Sequence, residues 1–383
     1  MLQTLPRIAL FTWVSLGFIQ LPALWAKSPA NQPRNEFTEL LVTLFDAFDI
    51  TQGAMYDRLL QITESRESRE GRNELRRTLM MLGNMSMSEM MRMGSPDMTD
   101  MDRRMGPFGR LETEAMSDLS GMIQRQHSRA EVRTAFSSSG ALTERAARVL
   151  QRGREFEARI FGIYSDDEIT DKVAAVNEAI DDYVSDSQNS VAPQPKDPRL
   201  MYGHSFAGSF KAGYPRVSGL FWASQWLKLA SLEPLMIGNE VASGVNTTIE
   251  RFKSKLGDTD GVTKLPSEIP MVPGISPLLL YRHAEAAWII DNLNVMEVVI
   301  ADLLVHPDVM DRDSSINAVV AEFTNRDTNI MMELDYREYL LSALRTGIYN
   351  QGGPALGELA TSERNRSRMQ MEMGGHVVLP GMN

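Results

Sequence analysis

Apolar residues recur at helical spacing along most of this chain. Phe37, Leu41, Leu44, Phe48, Met55, Leu59 and Ile62 lie three, four or seven positions apart and predict a long amphipathic helix, bent at Gly53. Residues 64–77 (ESRESREGRNELRR) place acids and arginines at i, i+3 and i+4, which predicts a surface-exposed continuation of that helix. Order resumes from Thr143 to Val184, with Ile169, Val173, Val176, Ile180 and Tyr183 on one stripe. The run Ser165 to Glu168 reads as a helix start, where the macrodipole favours acids. Val217 to Ile237 predicts an aromatic helix carrying Phe221, Trp222 and Trp226. The strongest pattern is Leu279, Ala286, Ile289, Leu293, Met296, Ile300 and Leu303, stopped by His306-Pro307. Asp313 or Ser314 then caps a last helix that runs, with an interruption, through Met331, Leu334, Leu341, Leu344 and Ile348 to Gly352-Gly353-Pro354. No stretch alternates with period two. The expected fold is all-α: an irregular multi-helix bundle of about six helices, with a Met-rich loop or short-helix insertion and a flexible C-terminal tail.

Punctuation divides the pattern. Residues 191–216 are rich in Ser, Pro and Gly and read as a linker between an N-terminal helical region, 27–190, and a C-terminal one, 217–360, with a tail over 361–383. Residues 1–26 read as an export signal: Arg7 and the amino terminus give the positive end, Ile8 to Leu21 the apolar stretch, and Pro22 breaks it before a cleavage site after Ala26. The 19 residues from Ile8 to Ala26 also approach the length of a membrane anchor. No later segment is apolar enough to span a bilayer. The expected location is periplasmic or secreted.

Composition changes this picture in two respects. A net charge of −11 argues against nucleic acid and anionic lipid as partners, because binding them neutralises phosphates with Lys and Arg. The chain has no Cys and 25 Met, so disulfides, thiolate metal sites and Cys nucleophiles are excluded and any soft metal would need thioether or imidazole ligands.

Twelve of the 25 Met fall between residues 80 and 122, a segment broken at Gly94-Ser95-Pro96 and Gly106-Pro107. Its dense part, MMLGNMSMSEMMRMGSPDMTDMDRRM, holds Met80, Met81, Met85, Met87, Met90, Met91, Met93, Met98, Met101 and Met105. A thioether is a neutral, soft donor that selects Cu(I) or Ag(I) over hard cations and needs no deprotonation. Spacings of one to three residues let two or three sulfurs converge on one ion. The tail repeats the chemistry with Met369, Met371, Met373 and His376. These MxM and MxxM clusters resemble the Met-rich segments of periplasmic copper-handling proteins. The resemblance is one of ligand style, over about 40 residues in two places. The candidate metal ligands are therefore Met85, Met87, Met90, Met91, Met93, Met98, Met101 and Met105 with Met369, Met371, Met373 and His376, and the implied cofactor is Cu(I).

The same tract has blander readings. Met80, Met87, Met91, Met98, Met101 and Met105 fall 7, 4, 7, 3 and 4 apart and so could be one core stripe; Met also suits adaptable partner-binding surfaces and reversible oxidant trapping. Gly203-His204-Ser205-Phe206-Ala207 stands one residue off the nucleophile elbow of α/β hydrolases, but no apolar strand precedes it, so it reads as an ordered loop crossing the bundle. Asp302 and His306 at i, i+4, and His283 with Glu285 and Glu297, offer carboxylate and imidazole ligands on the strongest helix. The E-x-x-H pairs of di-iron bundles and H-E-x-x-H are absent. Two functions are expected of such a chain: a periplasmic Cu(I) binder, or a non-catalytic envelope component whose Met-rich surface engages a partner protein. No nucleophile and base can be assembled into an enzyme.

Overall fold

The computed structural model describes residues 36–84, 106–197, 199–238, 265–266, 269–332, 335–336 and 339–340. Among them the chain forms thirteen helices: α1 (Glu36–Glu64), α2 (Arg69–Asn84), α3 (Gly109–Ile123), α4 (Arg129–Arg133), α5 (Glu144–Ser165), α6 (Lys172–Ser185), α7 (Arg199–Tyr202), α8 (Ser209–Gly213), α9 (Pro215–Ile237), α10 (Val272–Ile275), α11 (Pro277–Arg282), α12 (Ala284–Val305) and α13 (Arg312–Thr324). Extended pairing among the described residues is one antiparallel bridge, Lys196 with Ile330. The fold is all-α.

The helix with the strongest apolar pattern is the axis. All of α12 except Ala284, Glu285 and Trp288 is buried, as a helix apolar on every side requires. Helices α1, α5, α6, α7, α8, α10, α11 and α13 all pack against it. The second long buried helix, α9, begins at Pro215, whose fixed φ suits the first helical position. Phe210, Tyr214 and Val191, within the Pro- and Gly-rich stretch 191–216, are fully buried, and helices before and after that stretch share one core. No helix among the described residues is long and apolar enough to cross a membrane.

Several boundaries differ from the pattern-based expectation, each for a local reason. The charged run 64–77 does not continue α1. Arg72 Nη1 reaches back to the carbonyls of Thr63 (2.6 Å) and Ser65 (2.7 Å), satisfying acceptors that a helix end leaves open, and α2 starts afresh at Arg69 with Leu75 in the core. Ser165 to Glu168 is the end of α5 and a turn rather than a helix start. There Lys172 Nζ donates to the carbonyls of Ile163 (2.9 Å) and Asp166 (2.8 Å), and α6 is capped later, by Asp171, which accepts from Ala174 N (2.9 Å). Of the stripe on α6, Val176, Ile180 and Tyr183 are buried and Val173 is exposed. Non-helical backbone at His283 (φ −143°, ψ 66°) separates α11 from α12, so the long helix begins at Ala284. The cap of α13 is Asp311, accepting from Ser314 N (3.0 Å), and the helix does not reach Met331. Asn325 Oδ1 turns the chain by accepting from Asp327 N (2.8 Å) and Thr328 N (3.3 Å). About six helices were expected and thirteen are described, largely because the loops contain short helices, α4, α7, α8, α10 and α11.

Gly53 is a point of close backbone approach. It lies within continuous α1, at a point where a Cβ would stand 2.0 Å from the carbonyl oxygen of Ala135, so glycine is the residue that lets the two backbones meet. Gly53→Ala must push α1 and the 135–136 segment apart. We expect a loss of about 2 to 3 kcal/mol, seen as a lower urea midpoint with unchanged slope. A wild-type midpoint would show that the contact yields at no cost.

Candidate functional site

Helix α2 delivers the methionine tract. Leu75 and Leu79 face the core, whereas Met80 and Met81 on its last turns are 67 % and 62 % exposed. Elsewhere Met55, Met201, Met236, Met296 and Met331 are buried as adaptable core fillers, all below 9 %, whereas Met310 and Met332 are exposed. Met116 and Met122, on α3, lie partly buried against the core. Met85, Met87, Met90, Met91, Met93, Met98, Met101 and Met105, together with Met369, Met371, Met373 and His376, fall outside the described residues. The return point is fixed: a Cβ on Gly106 would meet Pro215 Cδ at 2.5 Å, and Phe108 stacks on Tyr214 with ring centroids 4.5 Å apart.

Beside α2 lies the turn that follows α12. Asp308 accepts a forked pair from Arg76 (Nε to Oδ1 2.9 Å, Nη2 to Oδ1 2.7 Å), joining this turn to α2. Arg312 donates to Glu64 (2.9 Å), joining it to α1. His306 accepts the Asp308 amide on Nδ1 (3.2 Å), and Met310 stands 96 % exposed.

The GHSFA segment is the turn between α7 and α8, with Gly208 at φ +77°. Helix α7, not a strand, precedes it. Asp302 holds it by accepting from Gly208 N (3.1 Å) and Phe210 N (2.7 Å). His204 Nε2 stands 3.9 Å from the same carboxylate, and its ring leans on Phe206, centroids 4.3 Å apart. Neither nitrogen of His204 has a well-formed hydrogen bond. Burial, with nearby His306, drives its pKa down to about 4 despite the Met201 carbonyl, so the imidazole is neutral. His283 instead pairs with Tyr164 Oη at 2.6 Å, so it and the acids of α12 are not gathered into one site. Among the described residues no three His, Asp or Glu side chains converge at metal-binding distance.

Asp302 is one of four buried acids doing the same work. Helices α8, α9, α10 and α11 have no side-chain cap of their own. Each receives a carboxylate from another helix. Glu112 on α3 accepts from Arg216 N (2.7 Å) and Val217 N (3.2 Å) at the start of α9. Glu233 on α9 accepts from Leu278 N (3.1 Å) and Ser276 Oγ (3.0 Å) at α11. Asp291 on α12 accepts from Val272 N (2.8 Å) at α10 and from the Tyr339 hydroxyl. Asp302 serves α8. First-turn amides and the helix dipole favour the anion, but burial outweighs them, raising Glu112, Asp291 and Asp302 to about 7 and Glu233 above its ordinary value.

A fifth polar group lies where α1, α5, α9 and α12 meet. Arg154, 4 % exposed, donates to Glu157 (2.6 Å), to Gln52 (3.0 Å) and to Glu297, itself 1 % exposed. Lys228 bridges Asp49 (2.7 Å) and Glu157 (3.2 Å), and Gln225 donates to the other Glu297 oxygen (2.9 Å). Burial works against the Arg154 cation, yet Glu157, Glu297 and Asp49 hold its pKa above the usual value. Burial raises Glu297 against the pull of Arg154.

The chain matches no known protein family, no curated protein and no solved structure. Its own residues must therefore carry any functional reading. The sequence pattern singled out the candidate thioethers and, as possible metal ligands, Asp302 and Glu297, but not the helix-capping role of the buried acids. The available signal was Asp291, Glu297 and Asp302 standing inside the apolar pattern of α12, where an acid has to be paired or capping.

Proposed function

We propose that this chain is an exported, non-catalytic protein that binds Cu(I) or another soft monovalent ion through the thioethers of residues 80–105, with Met369, Met371, Met373 and His376 as a second cluster. The observation that carries the reading is the exposure of Met80 and Met81, 67 % and 62 %, where α2 leads into the Met-rich segment. A core stripe beginning at Met80 would bury that residue. Charge points the same way, because a neutral thioether set suits a monovalent soft ion without the cost of desolvating a carboxylate.

The test is an anaerobic competition titration of the full chain against a coloured Cu(I) chelator. Changing Met85, Met87, Met90, Met91 and Met93 together to Leu should abolish retention of at least one ion while leaving helix content unchanged, since Leu matches Met in volume but lacks the sulfur. If wild-type protein fails to compete, the reading falls and the Met-rich segment becomes a surface for an envelope partner protein. Capture from the envelope fraction, tolerant of the same Leu set, would then identify that role.

A further inference from the structure

We infer that this chain is two copies of one helical unit, α1–α5–α6 and α9–α12–α13, packed face to face as the subunits of a homodimer would be, with Arg154 on the two-fold axis between them. The partner that the inner surface of each unit fits is the other unit, a second copy of itself within the same chain.

The repeat is plainest in the second and third helices. Set residue 144 against residue 284 and the boundaries coincide: α5 runs Glu144–Ser165 and α12 runs Ala284–Val305, 22 residues each. In the same register the next caps fall together, Asp171 accepting from Ala174 N (2.9 Å) and Asp311 from Ser314 N (3.0 Å). So do the buried faces that follow, where Val176, Ile180 and Tyr183 of α6 become Ile316, Val320 and Phe323 of α13. Glu157 and Glu297, the acids held by Arg154, are another such pair. In the first helices the buried series Phe48, Thr51 and Gln52 of α1 recurs as Phe221, Ser224 and Gln225 of α9. Packing is reciprocal as well. Among the long helices α1 packs on α9 and α12, and α5 packs on the same two, while α13 lies on α5 and α6 on α12. An interface in which each element meets the counterpart of its own neighbour is what a two-fold relation produces.

One position breaks the symmetry, because the counterpart of Arg154 is Asn294. Two guanidiniums on the axis would repel each other in a buried space, whereas one can serve both acids. Arg154 does so, donating to Glu157 on its own helix (2.6 Å) and to Glu297 on the opposite one. It also donates to Gln52 Oε1 (3.0 Å). The equivalent acceptor, Gln225 Oε1, is buried and has no hydrogen-bond partner among the described residues, and the same is true of both amide atoms of Asn294. An arginine at 294 would therefore find a matching set of partners in Glu297, Glu157 and the open Gln225 oxygen, and would displace no existing bond of Asn294.

The experiment is urea unfolding of the full chain as wild type, as Arg154→Asn, and as the exchanged pair Arg154→Asn with Asn294→Arg. Arg154→Asn should lower the urea midpoint by about 1 M, since it leaves Glu297 buried without its cation. The exchanged pair moves the guanidinium to the opposite helix and should regain about half or more of that shift, with an unchanged slope. If Arg154→Asn does not fold, an exchanged pair that folds is the same result. An exchanged pair no more stable than Arg154→Asn alone, an exchanged pair that does not fold, or an Arg154→Asn variant with the wild-type midpoint overturns the inference.

Discussion

Arg154→Met should cost about 3 to 5 kcal/mol of stability, because it leaves Glu297 buried without its cation. The loss would exceed that of removing an apolar contact of similar size, since two more acids, Asp49 and Glu157, then share Lys228 alone. Adding Glu297→Gln should recover part of the loss: Gln can still accept from Gln225 and carries no charge that needs compensation. The two changes should therefore be less than additive by about 1 to 3 kcal/mol, as expected of residues in one network. The exposed pair Arg58–Asp118 provides the contrast, where loss of the ion pair should fall within about 0.5 kcal/mol. Urea unfolding of the four variants measures all of this. A loss below about 1 kcal/mol for Arg154→Met would mean that water reaches the cluster and that it is not a sealed part of the core.

Raising the pH from 6.5 to 8 should lower stability by about 2 kcal/mol. Glu112, Asp291 and Asp302 titrate near 7 when folded and near 4 when unfolded. Between those values the folded chain holds more protons, so stability falls as pH rises and the contribution is gone once pH passes the folded value. Each carboxyl loses about 0.8 kcal/mol over this interval. The histidines work in the other direction at lower pH. His204, His283 and His306 are pushed below their ordinary value by burial, so the unfolded chain binds the extra protons and stability drops as pH falls below about 6.5. The two sets oppose each other below pH 6.5 and only the carboxyls act above it. Asp302→Asn should remove about a third of the alkaline slope, and a flat or rising profile from 6.5 to 8 would reject the assignment.

The sequence was most readable where burial is one-sided or complete. The α1 and α12 patterns were visible because their apolar residues repeat over several turns, and Pro215 and His306-Pro307 mark ends that any long helix would respect. The short helices α8, α10 and α11 escaped because their starts are held by acids 92, 19 and 45 residues away, and no local pattern records such a partner. The reason for glycine at position 53, the carbonyl of Ala135, was not legible because it is distant in the chain. For the functional site the balance is reversed. The proposed soft ligands rest on residue type and spacing alone, whereas the capping acids gained meaning only when the helix starts they meet were seen.

The four helix starts held by acids from elsewhere have a consequence for how this chain could vary over evolutionary time. Core residues that touch one another can exchange bulk between partners, so their identities drift together. Glu112, Glu233, Asp291 and Asp302 each address at least one peptide amide, which every substitution other than proline leaves in place. Nothing on the receiving side can compensate for losing the acid. Distant relatives of this chain should therefore be recognisable less by their apolar residues than by four acids in this order, at nearly this spacing, inside otherwise apolar helices.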